Sequence, residues 1–154
     1  MRTLQTYKQL LIIAVLALFL APCYLPIPEP KCSDRVEIVT GPSDTAYTID
    51  RACGYFAERM HVDSIIVTKS MANTTIEFHR WAPPCRGIAC AKFYPDGRAE
   101  LHIQSGRRDW PILVAHEVYH VLLYRIFANN PINQHHEIMF KTGLCRPKQA
   151  VCGY

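Results

Sequence analysis

The run from residue 110 to residue 127 constrains this chain more than any other stretch. Its apolar residues cover most of the circumference of a helix, as expected of a helix buried in a protein core. Asp109 is suited to cap the start, and Pro111 falls in the first turn, where its missing N–H costs nothing. The next proline is Pro131. The sequence therefore predicts a long core helix that ends shortly before that proline.

Two histidines and a glutamate interrupt this apolar run, in the order His116-Glu117-Val-Tyr-His120. A spacing of four places both imidazoles on one face of a helix, one turn apart. That spacing suits two nitrogen ligands of a tetrahedral zinc ion, with Glu117 as general base for a metal-activated water. The alternative is a helix whose histidines bond only to neighbouring groups. Such a helix would bury three polar side chains at a cost in free energy. A zinc site explains the presence of all three.

The N-terminal part of the chain predicts export. Residues 1–22 combine two basic residues with an uncharged apolar stretch of 12 residues, which is short for a bilayer span. We expect this segment to be a signal peptide or a membrane anchor, with lipidation at Cys23 as a further alternative. The proline-rich residues 23–31 predict a stiff stalk or an ordinary N-terminal arm. The protein is therefore expected in the periplasm or cell envelope, where its N-terminal segment or a lipid holds it to a membrane, or as a secreted protein.

Export decides how the seven cysteines are interpreted. Without Cys23, six remain in an oxidising compartment, so up to three disulfides are expected. Cys85 with Cys90, and Cys145 with Cys152, are close enough in sequence to close local loops, and the other pairings stay open. A thiolate zinc site is the alternative, but the sequence contains no Cys-x-x-Cys pair.

Size and charge limit the remaining function classes. Removing residues 1–22 leaves 132 of the 154 residues, enough for one domain, which we place at 32–154. The chain has 17 basic and 13 acidic residues, and without Arg2 and Lys8 the balance is 15 to 13. This small excess gives no support to nucleic-acid binding.

The patterns within this domain predict an α+β fold with a mainly antiparallel sheet packed against the helix at 110–127. An Asp96-Gly97 pair predicts the turn of a hairpin. Predicted strands cover residues 35–40, 64–69, 74–79, 88–94 and 98–104, and further predicted helices cover 45–61 and 134–142.

A strand-rich segment that leads into a His-Glu-x-x-His helix resembles the zincin metallopeptidases. The histidine that metzincins carry shortly after the motif is missing, and His135 and His136 follow His120 by fifteen and sixteen positions. That spacing is similar to the SprT-like and YgjP-like minimal zincins, whose third histidine opens a helix after a loop, with an aromatic residue four positions later. His136 and Phe140 fit this pattern. The resemblance covers roughly residues 98–142.

The resemblance implies a zinc metallopeptidase that hydrolyses peptide or protein substrates, with Glu117 as the catalytic base. The implied metal ligands are His116, His120 and His136, with His135 and then Glu137 as alternatives to the third. In zincins an edge strand beside the motif helix pairs with extended substrate, and residues 98–104 are our candidate for that strand, with an ordinary half-buried strand as the alternative. The alternative function is a non-catalytic, zinc-stabilised binding or structural module on a zincin-like fold. Candidate oxyanion donors, none of them assigned, are Tyr119, Tyr124, His102 and the non-ligating histidine of the pair at 135 and 136.

Overall fold

A computed structural model describes residues 30–85, 87–128 and 134–144. Within these ranges the chain forms a short 3-10 turn, four α-helices and one four-stranded sheet, so the predicted α+β class is confirmed. The 3-10 turn covers Cys32–Arg35. The helices are α1 (Thr45–Met60), α2 (Ser64–Ser70), α3 (Trp110–Ile126) and α4 (His135–Thr142), and the strands are β1 (Val36–Ile38), β2 (Thr74–His79), β3 (Ala89–Phe93) and β4 (Ala99–Gln104).

Most elements lie where hydrophobic periodicity predicted them, but the predicted strand at 64–69 is wrong. This segment is helix α2. Its Ile-Ile-Val-Thr run has the β-branched composition of a strand. However, the Asp63 carboxylate accepts a hydrogen bond of 2.7 Å from the Ile65 N–H and caps a helix there. Capping and the burial of Val67 and Thr68 against the core therefore prevail over local propensity.

The prediction of a mainly antiparallel sheet is also wrong. The strand order is β1-β2-β4-β3, and the pairs β1–β2 and β2–β4 are parallel, whereas β3–β4 is antiparallel. Helices α1 and α2 connect β1 to β2, and a helical crossover is the usual connection between parallel neighbours. After β2 the chain passes beyond the position of β4, forms β3 at the edge, and returns through the predicted hairpin. The hairpin is therefore the antiparallel part of a mixed sheet.

Helix α3 packs against one face of this sheet. Leu101 and Ile103 of β4 point toward it and are fully buried. Trp110, at the start of α3, meets the edge of the Phe78 ring with centroids 5.5 Å apart. Because side chains alternate along a strand, the residues between these positions point to the opposite face of the sheet. The sheet thus separates two chemically different surfaces.

The helix cap predicted for α3 differs in detail. Asp109 directly precedes the helix, but its side chain makes no capping hydrogen bond. Its carboxylate instead accepts two hydrogen bonds of 2.8 Å from the Arg107 guanidinium. Pro111 lies in the first turn as predicted.

Two disulfides link parts of the described chain. Cys85–Cys90 confirms the predicted local pair, and Cys32–Cys53 joins the 3-10 turn to α1. Such bonds are typical of proteins from oxidising compartments. The predicted segment 1–22, most of the stalk and the pair Cys145 and Cys152 lie outside the described residues. Among the helices of the described ranges, none has the length and apolar character that a membrane crossing requires.

Arg125, in the last turn of α3, joins two loops at one end of the sheet. Its Nη1 donates to the carbonyl oxygens of Ser70 (2.7 Å) and Ala72 (2.6 Å) and to Thr74 Oγ1 (2.9 Å). Its Nη2 donates to the carbonyl oxygen of Gly97 at 2.7 Å. One side chain therefore holds α3 to the α2–β2 connection and to the β3–β4 turn.

Replacing this side chain is expected to destabilise the fold. Arg125→Ala should lower the free energy of unfolding by about 3 kcal/mol, because several partly buried acceptors lose a charged donor. Arg108→Ala, at an exposed arginine, is the matched control and should change stability by about 0.5 kcal/mol or less. Urea unfolding followed by circular dichroism measures both. Equal stability of the two variants would show that the Arg125 contacts contribute nothing.

Candidate metal centre

Helices α3 and α4 bring three imidazoles together. The Nε2 atom of His120 lies 3.1 Å from that of His116 and 3.1 Å from that of His136, and the third distance is 3.2 Å. Four tetrahedral ligands at Zn–N distances of about 2.0–2.1 Å would lie about 3.3–3.4 Å apart. The triangle is therefore close to the size that zinc requires, and these three residues could hold a metal ion.

Hydrogen bonds between the three imidazoles explain their close approach less well than a shared metal ion does. Each Nε2 carries either one hydrogen or one lone pair, so it cannot make two good hydrogen bonds to the other two nitrogens. Burial, with the neighbouring His136, lowers the pKa of His116 to about 4, and burial also lowers the pKa of His136. Burial and the adjacent histidines lower the pKa of His120 to about 2. Neutral imidazole is the form that binds metal ions.

The two alternatives for the third ligand lie elsewhere. His135 is fully buried, and its Nδ1 lies 3.2 Å from Nδ1 of His120, on the side of that ring away from the triangle. If His120 binds a metal through Nε2, its proton is on Nδ1 and can be donated to His135. Glu137 forms an ion pair of 2.6 Å with Lys141 on the surface. The structure thus brings His136 to the triangle, while His135 supports His120 from behind.

Glu117 follows His116 on α3 and is 4% exposed. Burial raises the pKa of its carboxyl group to about 8, and a hydrogen bond from the backbone N–H of Ala91 acts in the opposite direction. On the helix, residue 117 is 60° from residue 120 around the axis, at about 100° per residue. The effect of the Ala91 backbone on its pKa places the glutamate on the side of α3 that faces β3.

The strand next to Glu117 is β3, and the predicted role of residues 98–104 as the substrate-pairing edge is wrong. Those residues form β4, which is paired on both sides by β2 and β3. Tyr94 with Arg98 and Ile88 with Gln104 are hydrogen-bonded pairs of the hairpin. By the alternation of antiparallel pairs, the N–H of Ala91 points away from β4, toward the open edge of β3, which pairs with no other strand among the described residues.

The candidate oxyanion donors are placed differently from one another. His102 lies on the face of the sheet opposite α3, so it is excluded from this site. Tyr119 is buried against Phe56, with ring centroids 6.1 Å apart, and burial raises its pKa. Tyr124 stacks on Phe93 with centroids 4.2 Å apart, which is a packing contact.

A cleft of about 540 Å³ between α1 and α3 reaches the triangle at His116. Its walls include Tyr47, Arg51, Tyr55 and Tyr119. Sequence patterns did not indicate this cleft, because it depends on how α1 crosses α3. The centre is therefore flanked by the cleft on one side of α3 and by the edge of β3 on the other.

Comparison of the chain with models of protein families, with curated proteins and with solved structures found no match. The resemblance to minimal zincins therefore rests on the motif at 116–120 and the downstream histidines, and the peptidase assignment stays a prediction.

Proposed function

We propose that this protein is an exported zinc-dependent peptidase that hydrolyses peptide bonds in a peptide or protein substrate. The observation that carries the proposal is the Nε2 triangle of His116, His120 and His136. Glu117, whose carboxylate is the proposed base, directly follows His116 on α3. The two disulfides support export, since they persist in oxidising compartments. Residues 1–22 would then direct export or anchor the protein.

The chemistry divides between the ion and the side chains. Zinc held by the three histidines would supply a Lewis acid that polarises the scissile carbonyl and acidifies a water molecule. Glu117 accepts the proton from the attacking water and later delivers it to the leaving amine. Burial alone raises the pKa of Glu117 to about 8, which would keep the carboxyl group protonated at neutral pH, and a bound cation would lower that pKa so that the group can accept a proton. His135 keeps the ring of His120 in one orientation and one tautomer.

The open edge of β3 supplies the substrate-binding surface in this proposal. An extended peptide can add to an exposed edge as a further strand, through main-chain hydrogen bonds that tolerate many sequences. Ala91 lies in the middle of this edge, and its backbone influences the pKa of Glu117. A substrate paired there would pass close to the general base. Substrate side chains that extend past the metal centre could enter the cleft between α1 and α3 at Tyr47 and Arg51.

The alternative is a zinc-stabilised binding or structural module without catalysis. Structural zinc sites usually have four protein ligands, whereas catalytic sites have three and an open position. Within the described residues, three imidazoles form the group around His120. A buried carboxylate at Glu117 has a role in catalysis and none in a closed structural site. Both features favour the peptidase.

Zinc removal is expected to abolish hydrolysis reversibly. The full-length chain, loaded with zinc, should release new amino groups from an unfolded protein substrate, and 1,10-phenanthroline should stop that release. Adding zinc after removal of the chelator should restore it, and circular dichroism should show the fold at each step. Hydrolysis that continues without metal, or a zinc-loaded protein that cleaves no member of a random peptide library, would contradict the proposed function.

A further inference from the structure

A second group of metal-binding side chains lies on the other face of the sheet. Glu77 and His79 are two residues apart on β2, so their side chains point to the same face. His102 is the register partner of Glu77 on the parallel neighbour β4. It lies between the buried core residues Leu101 and Ile103, and therefore points away from α3. The sheet itself thus brings the three side chains together, far from the face that carries the first centre.

The distances within this group match those of a metal site. Nε2 of His79 lies 2.9 Å from Nδ1 of His102 and 3.6 Å from Oε2 of Glu77. One ligand atom from each residue falls within 4.8 Å of the other two. Tetrahedral ligands of zinc would be about 3.3–3.4 Å apart. The observed values bracket that separation, and the Glu77 side chain, 44% exposed, has room to adjust.

A further carboxylate lies next to the deepest of the three ligands. The side chain of His102 is 8% exposed, and its Nε2 lies 3.4 Å from Oε2 of Glu100. Glu100 in turn accepts a hydrogen bond from the Tyr94 hydroxyl. In this structure Nε2 of His102 makes no aligned hydrogen bond, but a proton on that nitrogen would face a nearby carboxylate and leave the lone pair of Nδ1 to bind a metal. Metal-ligating histidines commonly have a carboxylate in this position.

We propose that Glu77, His79 and His102 form a second metal site, which takes a divalent transition ion such as zinc and joins β2 to β4. Two imidazoles and one carboxylate suit Zn²⁺ and its neighbours better than Ca²⁺ or Mg²⁺, which prefer oxygen ligands alone. Burial lowers the pKa of His102, so the neutral form needed for binding prevails. The ion replaces the contact between His79 and His102. This site shares no ligand with the first centre and does not depend on the proposed peptidase activity.

Zinc stoichiometry tests the proposal. The full-length chain is dialysed against Zn²⁺, and bound metal is measured by mass spectrometry. His79→Ala is expected to bind one equivalent fewer than the wild type. Glu77→Gln removes a charged ligand at an exposed side chain and should weaken binding at this site by more than the roughly 10–100-fold that is typical of an outer-shell change. His61→Asn, at an exposed histidine that belongs to neither group, is the matched control and should lose no bound zinc.

The double variant His116→Ala/His136→Ala separates this site from the first. It should retain the equivalent that His79→Ala removes, and Co²⁺ bound to it should give visible absorption bands that disappear when His79→Ala is added. Equal zinc content in wild type, His79→Ala and Glu77→Gln, all with unchanged circular dichroism, would overturn the second site and leave a hydrogen-bonded pair of histidines.

Discussion

Glu117→Gln is expected to bind zinc as the wild type does and to lose about 10²–10⁴-fold in peptidase turnover, the usual contribution of a general acid–base group. The amide cannot accept a proton from water, but it has nearly the same shape. The buried carboxyl group has a pKa raised to about 8, so burying its charge is unfavourable. A neutral amide should therefore fold at least as well. Turnover, zinc content and thermal unfolding measured on one preparation provide the test.

Glu58→Gln is the matched control for this variant. It makes the same chemical change on the exposed side of α1 and should leave all three quantities unchanged. Full turnover by Glu117→Gln would show that another group acts as the base. If zinc were lost with the carboxylate, Glu117 would be a ligand, and the mechanism would have to be abandoned.

His136→Ala and His135→Ala are expected to differ sharply, although the two residues are adjacent. His135→Ala removes a partner of His120 and should weaken zinc binding by about 10–100-fold, as loss of an outer-shell partner does. His136→Ala removes a nitrogen of the Nε2 triangle and should weaken zinc binding by considerably more. Competition with a chromophoric chelator measures both affinities, below the unfolding temperature of each variant.

The zinc affinities of His135→Ala and His136→Ala distinguish the proposed peptidase from a structural zinc module. The reverse order of affinities would make His135 the ligand and overturn the geometry of the triangle. Equal and complete loss in both variants would indicate a site closed by four histidines, which is the arrangement of a structural module.

Local sequence signals predicted the parts of the fold that depend on interactions between residues close in sequence. Helix α3 follows from its apolar run and Pro111, and the hairpin follows from Asp96-Gly97. The strand prediction for residues 64–69 is wrong because β-branched residues dominate the segment, whereas the Asp63 carboxylate caps a helix there. The parallel pairing of β2 with β4 is a contact between distant segments, and no local pattern specifies its register.

The same distinction applies to the candidate metal-binding residues. The spacing of His116 and His120 places both on one helix face, so this half of the first centre is visible in the sequence. Choosing between His135 and His136 requires the orientation of α4, because adjacent helical residues point about 100° apart. The group at Glu77, His79 and His102 was not anticipated, since it depends on the register between β2 and β4.

The Cys85–Cys90 disulfide has a practical consequence. It fastens the loop after β2 to the residue that precedes Ala91 in the outermost strand. Terminal strands of a sheet are exposed to fraying, and a short covalent link at this point restricts how far the strand can peel away. Thiol reagents would release that link and loosen the backbone beside Glu117. A phosphine reductant, which binds zinc far more weakly than dithiothreitol does, should therefore lower the proposed peptidase activity while the zinc content stays unchanged.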